Sequence, residues 1–252
     1  MRLALYVAGS FIRALLWSLA YAALFLMPPI LGGIWVLALA ALFVRVAILR
    51  PVGDDPRRAT LELRLGRPPM RWLLLAAASL PVFDLGFYAV YGIIFPPPSV
   101  DPFREMFEYF HRPLGWFPIL AAVCIAAPLV EEVAFRGWIQ TRLEGRFGPE
   151  PAIVFAAVLF SVAHGVPEYL VYYLVLGTIL GLSVWASGSI WTGVILHGVL
   201  NLASIISELF PEPQGTWTSD SRGIALVAGA LLLGAAGLGW AMAGLRKGRR
   251  EK

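Results

Sequence analysis

Apolar runs of about 18–25 residues recur along this chain, and each is long enough to cross a hydrocarbon core of about 30 Å as a helix. Hydrophobic residues make up 59% of the sequence and charged residues only 14%, whereas soluble domains contain about 45–50% and about 25% respectively. A soluble fold of this composition would have hardly any charged face. The sequence therefore predicts an all-α fold, a polytopic transmembrane helical bundle.

Prolines, glycines and charged connections divide the chain into about eight predicted spans. The first covers residues 3–26, the second ends near residue 49 and the third covers 72–95. The fourth begins near residue 114, and the others cover 152–164, 169–186, 190–209 and 223–245. We treat the chain as one integral domain in three parts: helices 1–3 with an outer interfacial loop in 1–113, helices 4–7 in 114–209, and the last helix with a basic tail in 210–252.

Basic residues favour one orientation in the membrane, because positive charge is enriched in cytoplasmic loops. Seven arginines and three acids lie in 45–71, and five basic residues and one acid lie in 246–252. Six predicted spans separate these segments, so both termini are expected in the cytoplasm. Arginine outnumbers lysine 18 to 2, which indicates a prokaryotic cytoplasmic membrane. The lipid bilayer is the expected partner rather than nucleic acid, and the basic C-terminal run favours anionic lipid.

Two adjacent acids, Glu131 and Glu132, follow directly on the apolar stretch 114–130. A carboxylate at membrane depth costs at least about 2.5–3.5 kcal/mol, so such residues usually have a use. Glu132 and Arg136 are four residues apart and share a helix face, which predicts an ion pair. Glu131 is rotated by about 100° from Glu132 and can point into a cavity. The spacing therefore predicts a structural role for Glu132 and a chemical role for Glu131.

Two histidines in apolar segments are candidate partners for Glu131. The fourth and fifth helices are predicted to form an antiparallel hairpin that turns near Phe147, with Glu131 16 residues before the turn and His164 17 residues after it. At about 1.5 Å rise per residue both lie at nearly the same height. His197 and Asn201, one turn apart on a later helix, can join them in one cavity. A carboxylate with two imidazoles is equally a metal-ligand set and a general-base set.

Three motifs on successive apolar segments support a family resemblance. They are Glu-Glu-x-x-x-Arg at 131–136, Phe-x-x-x-His at 160–164 and His-x-x-x-Asn at 197–201. In this order they resemble the CPBP family, which includes type II CAAX prenyl proteases and bacteriocin-processing or Abi-like membrane proteins. The resemblance covers roughly residues 114–209. The predicted helices 1–3 and 8 contain none of these motifs.

The resemblance implies an intramembrane endopeptidase that hydrolyses peptide bonds with a glutamate-activated water. Glu131 would act as the general base, and His164 would help to hold the attacking water. His197 and Asn201 would stabilise the tetrahedral oxyanion. The substrate would be a peptide or a membrane protein, prenylated only if the chain acts on CAAX sequences.

The resemblance also implies supporting residues and leaves the cofactor open. Glu132, Arg136 and Phe160 would support the site structurally. In a metal version a divalent ion such as zinc would lie near Glu131, His164 and His197 and would lower the pKa of its bound water; in the other version no metal takes part. The zincin signature His-Glu-x-x-His is absent from the sequence, so the mechanism of ordinary zinc proteases does not transfer.

A different class of function is also compatible with the acids. A non-proteolytic transporter or a bacteriocin-immunity scaffold could use Glu131 and Glu132 as a proton relay. Transporters often contain internal repeats, and this sequence has no evident repeat.

Outside the motifs, the intramembrane Asp84 is expected either to line the cavity or to make a helix contact. Gly177-x-x-x-Gly181 and the glycines of the last helix predict close helix packing.

Overall fold

The computed structural model of the protein describes residues 12, 38, 63–95, 104–105, 108, 119–209 and 221–250. Within these ranges all regular structure is helical, which confirms the all-α prediction. Four helices are long and apolar enough to span a membrane: Met70–Ile94, Pro167–Ser187, Ile190–Ser207 and Arg222–Arg249. Almost all of the predicted first two spans and of the interfacial loop lies outside the described residues. The count of about eight spans is therefore not confirmed.

Helix α1 (Met70–Ile94) and helix α6 (Ser221–Arg250) pack against each other along their lengths. Glycines allow this close approach. A Cβ atom on Gly86 of α1 would lie 2.7 Å from the backbone nitrogen of Leu231, and Gly234 of α6 lies directly against the backbone of Phe83. The predicted close packing of the last helix is thus confirmed. Helix α6 extends beyond the predicted 223–245 at both ends.

Helix α2 is a continuous helical run over residues 120–147 that contains two wider, π-helical stretches. These stretches are Leu120–Ala126 and Val133–Gln140, and the α-helical parts are Ala127–Glu132 and Thr141–Phe147. Gly148, at φ 82°, ends α2, and helix α3 (Pro149–Ala163) begins immediately after it. Proline is tolerated at the start of a helix, so α3 begins three residues before the predicted position.

A 3-10 turn (Pro167–Tyr169) leads into helix α4 (Leu170–Ser187), which ends at Gly188 with φ 66° before helix α5 (Ile190–Leu209) begins. A Cβ atom on Gly177 would lie 3.1 Å from the ring of Phe160, and one on Gly181 would lie 2.9 Å from Oε1 of Gln140. Both glycines of the predicted contact motif therefore lie where α4 approaches α2 and α3 closely.

One end of the bundle brings several helix termini together. The backbone nitrogen of Ile190 donates to the carbonyl of Arg64 at 2.9 Å, so the segment before α1 lies against the start of α5. Arg64 also pairs with Glu144 near the end of α2. Gly248 near the end of α6 faces Pro69, with 3.0 Å from the Cβ position to the ring. These contacts define one end of the bundle.

Candidate active site

Glu132 is completely buried and binds two cationic or ionisable partners through one oxygen. Its Oε1 accepts a hydrogen bond from Nη1 of Arg136 at 3.0 Å and lies 3.1 Å from Nδ1 of His197. The predicted pair with Arg136 is confirmed. The contact with His197 was not predicted, because that histidine was expected beside Glu131. Glu132 therefore joins α2 to α5.

Arg136 is also completely buried and connects three helices. Its Nη2 donates to the carbonyl of Gly177 in α4 at 2.9 Å, and its Cζ lies 4.4 Å from the ring centroid of Phe160 in α3. A guanidinium at membrane depth needs such partners, because an uncompensated buried charge is strongly unfavourable. The contacts agree with a structural role for this residue.

Phe160 lies between the two histidines and is only 2% exposed. Its ring centroid is 4.5 Å from that of His164 and 5.7 Å from that of His197, and both pairs meet edge to face. The ring also meets Phe135 of α2 at 5.4 Å. Phe160 thus sets the positions of both imidazoles through packing, consistent with its expected supporting role.

His164 is held in one orientation by its backbone and by an aromatic neighbour. Its Nδ1 lies 2.8 Å from the carbonyl oxygen of Phe160, one turn earlier. Because a carbonyl can only accept, Nδ1 must carry a hydrogen, and Nε2 of the neutral ring is then an acceptor. The ring of Tyr173 stacks on the imidazole with centroids 3.9 Å apart and an interplanar angle of 23°.

Glu131 lies within electrostatic reach of His164, as do His197 and Arg136. The hairpin of α2 and α3 therefore leaves Glu131 within charge–charge range of His164, and their direct contact stays a prediction. One carboxylate oxygen of Glu131, Oε2, is buried and has no hydrogen-bond partner among the described residues. Oε2 of Glu132 likewise has no partner among these residues, so the two acids differ in that Glu132 binds Arg136 and His197 through Oε1.

Asn201 connects α5 to the first part of α2. Its Nδ2 donates to the carbonyl of Val123 at 2.7 Å. One turn earlier, Gly198 faces the backbone of Cys124, and a Cβ atom there would lie 2.5 Å from the Cys124 carbonyl oxygen. One amide hydrogen of Asn201 is therefore used in packing, and the second is available for a ligand.

A four-residue polar repeat along α2 was not recognised in the sequence. Glu132, Arg136, Gln140 and Glu144 follow at equal spacing. Nε2 of Gln140 donates to the carbonyl of Gly181 at 3.0 Å and to Oε1 of Glu144 at 2.8 Å. In a regular α-helix such a stripe drifts by about 40° per step. The wider turns of the π-helical stretch Val133–Gln140 oppose that drift and keep the stripe against α4.

Asp84 of α1 lies in a different part of the bundle. Its Oδ1 accepts a hydrogen bond from the hydroxyl of Tyr172 in α4 at 2.8 Å. This bond supports the helix-contact interpretation of Asp84.

The residues proposed as metal ligands do not form a recognisable metal site. Among the described residues, no group of three His, Cys, Asp or Glu side chains is placed to hold an ion. Nδ1 of His197 is bound to Glu132 and Nδ1 of His164 to a carbonyl. The geometry of these described residues thus gives no support to zinc held by Glu131, His164 and His197.

Comparison with known families supports the resemblance drawn from the motifs. Residues 113–203 match a family model described as type II CAAX prenyl endopeptidase, Rce1-like. The matched segment contains all three motifs and the side chains just described. No curated protein and no solved structure matched the chain. Residues 113–203 are therefore similar to the Rce1-like type II CAAX prenyl endopeptidases, in agreement with the CPBP resemblance.

Proposed function

We propose that the protein is an intramembrane endopeptidase in which Glu131 activates the attacking water. The observation that supports this most directly is the buried Oε2 of Glu131, which has no partner among the described residues and belongs to a side chain within electrostatic reach of His164. Oε2 of Glu132 is also unpartnered there, but Oε1 of that acid is bound to Arg136 and His197. An unsatisfied buried carboxylate oxygen destabilises a protein, and such groups are characteristic of functional sites.

Glu131 and His164 would bind the hydrolytic water between them. Nε2 of His164 accepts one hydrogen of the water, which orients a lone pair of the oxygen toward the scissile carbonyl carbon. Glu131 takes the other proton as the C–O bond forms, and then delivers it to the amine nitrogen as the C–N bond breaks. General-base assistance of this kind contributes about 10²–10⁴-fold to the rate.

His197 and Asn201 would stabilise the negative charge on the carbonyl oxygen. Nδ1 of His197 is bound to the carboxylate of Glu132, and Nε2 of that ring would donate a hydrogen bond to the oxyanion whenever both ring nitrogens carry a hydrogen. The second amide hydrogen of Asn201 provides another donor. Loss of one oxyanion donor typically lowers kcat by about 10²–10³-fold. The two histidines thus have different surroundings and would have different roles.

The wider setting of the reaction is also part of the proposal. The substrate is a peptide or membrane protein that reaches the site from the bilayer or from the cytoplasmic side, and a prenyl group is required only for a CAAX-type substrate. The enzyme would lie in a prokaryotic cytoplasmic membrane with both termini inside. The proposed reaction uses no divalent metal.

Cleavage by the purified protein in liposomes tests the proposal. The probes are a fluorogenic peptide that ends in a farnesylated CAAX sequence and the same peptide without the prenyl group. Glu131→Gln should lower kcat by about 10²–10⁴-fold with little change in KM. Asp84→Asn is the matched control, because it changes another intramembrane acid outside the site and should retain activity. Full cleavage by Glu131→Gln would show that the catalytic assignment is wrong.

A further inference from the structure

Five exposed basic side chains gather at one end of the bundle. Arg67 and Arg71 lie at the start of α1, and Arg246, Lys247 and Arg249 lie near the end of α6. The contact between Gly248 and Pro69 brings these two helix termini together. We call these five side chains the basic rim.

Two arginines of the basic rim are held on tryptophan rings. The Cζ atom of Arg71 lies 4.9 Å from the ring centroid of Trp72, and that of Arg246 lies 4.9 Å from the ring centroid of Trp185. Stacking uses the flat face of a guanidinium, so its N–H edges can still bind a phosphate in a bidentate manner. Tryptophan is also enriched where a membrane meets water.

Arg249 fixes the end of α6 to the end of α4. Its Nη1 donates to the carbonyl of Trp185 at 2.6 Å. Its side chain also lies 3.0 Å from the Cβ position of Gly188, the left-handed residue that ends α4. The basic rim is therefore built from three packed elements of the fold.

The chemistry around the basic rim is suited to a lipid rather than to a small soluble anion. Leu74 and Trp240 are 62% and 67% exposed. Leu74 lies one helical turn below Arg71, and the ring of Trp240 meets that of Trp72 at 6.3 Å. Apolar surface thus continues directly from the positive charges. A phospholipid presents the same arrangement, with a phosphate next to acyl chains.

We infer that the basic rim binds an anionic phospholipid, with the headgroup phosphate on Arg71 and Arg246 and the acyl chains against Leu74 and Trp240. Its charge complements the anionic lipids of a cytoplasmic leaflet. The nearby acid Glu144 is already paired with Arg64.

Native mass spectrometry of the full chain in detergent tests this inference without depending on protease activity. The protein is titrated with phosphatidylglycerol and, separately, with zwitterionic phosphatidylcholine. We expect tighter binding of phosphatidylglycerol, reduced about 25-fold in the Arg71→Gln/Arg246→Gln double variant, because each basic residue near the surface contributes about fivefold. Arg222→Gln is the matched control, since this exposed arginine lies at the opposite end of α6 and should leave the affinity unchanged.

Three outcomes would overturn the inference. The first is an unchanged preference for phosphatidylglycerol in the double variant, and the second is an equal loss in Arg222→Gln. The third is displacement of phosphatidylglycerol by millimolar inorganic phosphate, which would indicate a site for free phosphate. The charge-conserving pair Arg71→Lys/Arg246→Lys addresses folding. It should bind phosphatidylglycerol more tightly than the glutamine pair and less tightly than the wild type, because lysine keeps the charge but not the bidentate geometry.

Discussion

Neutralising Glu132 should destabilise the protein far more than neutralising its neighbour Glu131. Glu132 and Arg136 are both 0% exposed, and the carboxylate bonds Arg136 at 3.0 Å and His197 at 3.1 Å. Glu132→Gln would leave the guanidinium buried without its counter-charge. Breaking a buried ion pair by removing one partner costs about 3–5 kcal/mol. We expect a loss of that size in the free energy of unfolding.

Glu131→Gln should behave in the opposite way. Oε2 of Glu131 has no hydrogen-bond partner among the described residues, so the substitution removes a charge without leaving a partner unpaired. The free energy of unfolding should change by less than about 0.5 kcal/mol or increase, since strained functional groups are commonly maintained at the expense of stability. Activity and stability should therefore respond to different members of the acid pair.

Unfolding of the purified protein in mixed micelles by sodium dodecyl sulfate provides the measurement. The nine tryptophans of the chain supply the fluorescence signal. The double variant Glu132→Gln/Arg136→Met extends the experiment to a double-mutant cycle. Because replacing both partners of a buried pair is often nearly neutral, it should be more stable than Glu132→Gln alone. Equal destabilisation by Glu131→Gln and Glu132→Gln would refute the division of roles.

Three further experiments test the surroundings of the site. Gly193→Ala should destabilise the protein by about 1–3 kcal/mol, because the new Cβ atom would lie 2.5 Å from Oε2 of Glu132. The control in the same unfolding assay is Gly92→Ala, whose Cβ atom would meet nothing within 4 Å. This control should be neutral or stabilising. Tyr173→Leu removes the ring stacked on His164 and should lower kcat, whereas Tyr173→Phe should retain most of it; equal losses would exclude a stacking role. Chelator titration with metal analysis tests the cofactor, since the proposed mechanism predicts full activity in a metal-free sample and a proportional loss would favour the metal version.

Local spacing predicted the parts of the site that lie within one helix or one hairpin. The pair of Glu132 with Arg136 follows from a separation of four residues, which survives the change from α-helical to π-helical geometry after Glu132. The placement of Glu131 within electrostatic reach of His164 follows from counting residues from a turn that the structure places at Gly148. Both predictions depend only on helical rise and on the place where the chain reverses.

Contacts between distant helices could not be predicted in the same way. Whether His197 meets Glu131 or Glu132 depends on the rotation of α5 about its axis, and helical periodicity does not determine that rotation. The polar stripe depends likewise on the π-helical stretch of α2 and on the carbonyls of Gly177 and Gly181 in α4. In the sequence, the polar stripe was indicated by polar side chains that recur every four residues.

The contact between Glu132 and His197 connects the proposed roles of the two adjacent acids. In a low-dielectric interior, Arg136 would be attracted to any nearby carboxylate. Glu132 binds Arg136 and His197 through Oε1, whereas Oε2 of Glu131 has no hydrogen-bond partner among the described residues. A base that accepts a proton from water needs such an unengaged lone pair. Glu132 would thus contribute to the proposed reaction without touching the substrate, by binding the two side chains that could otherwise bind Glu131.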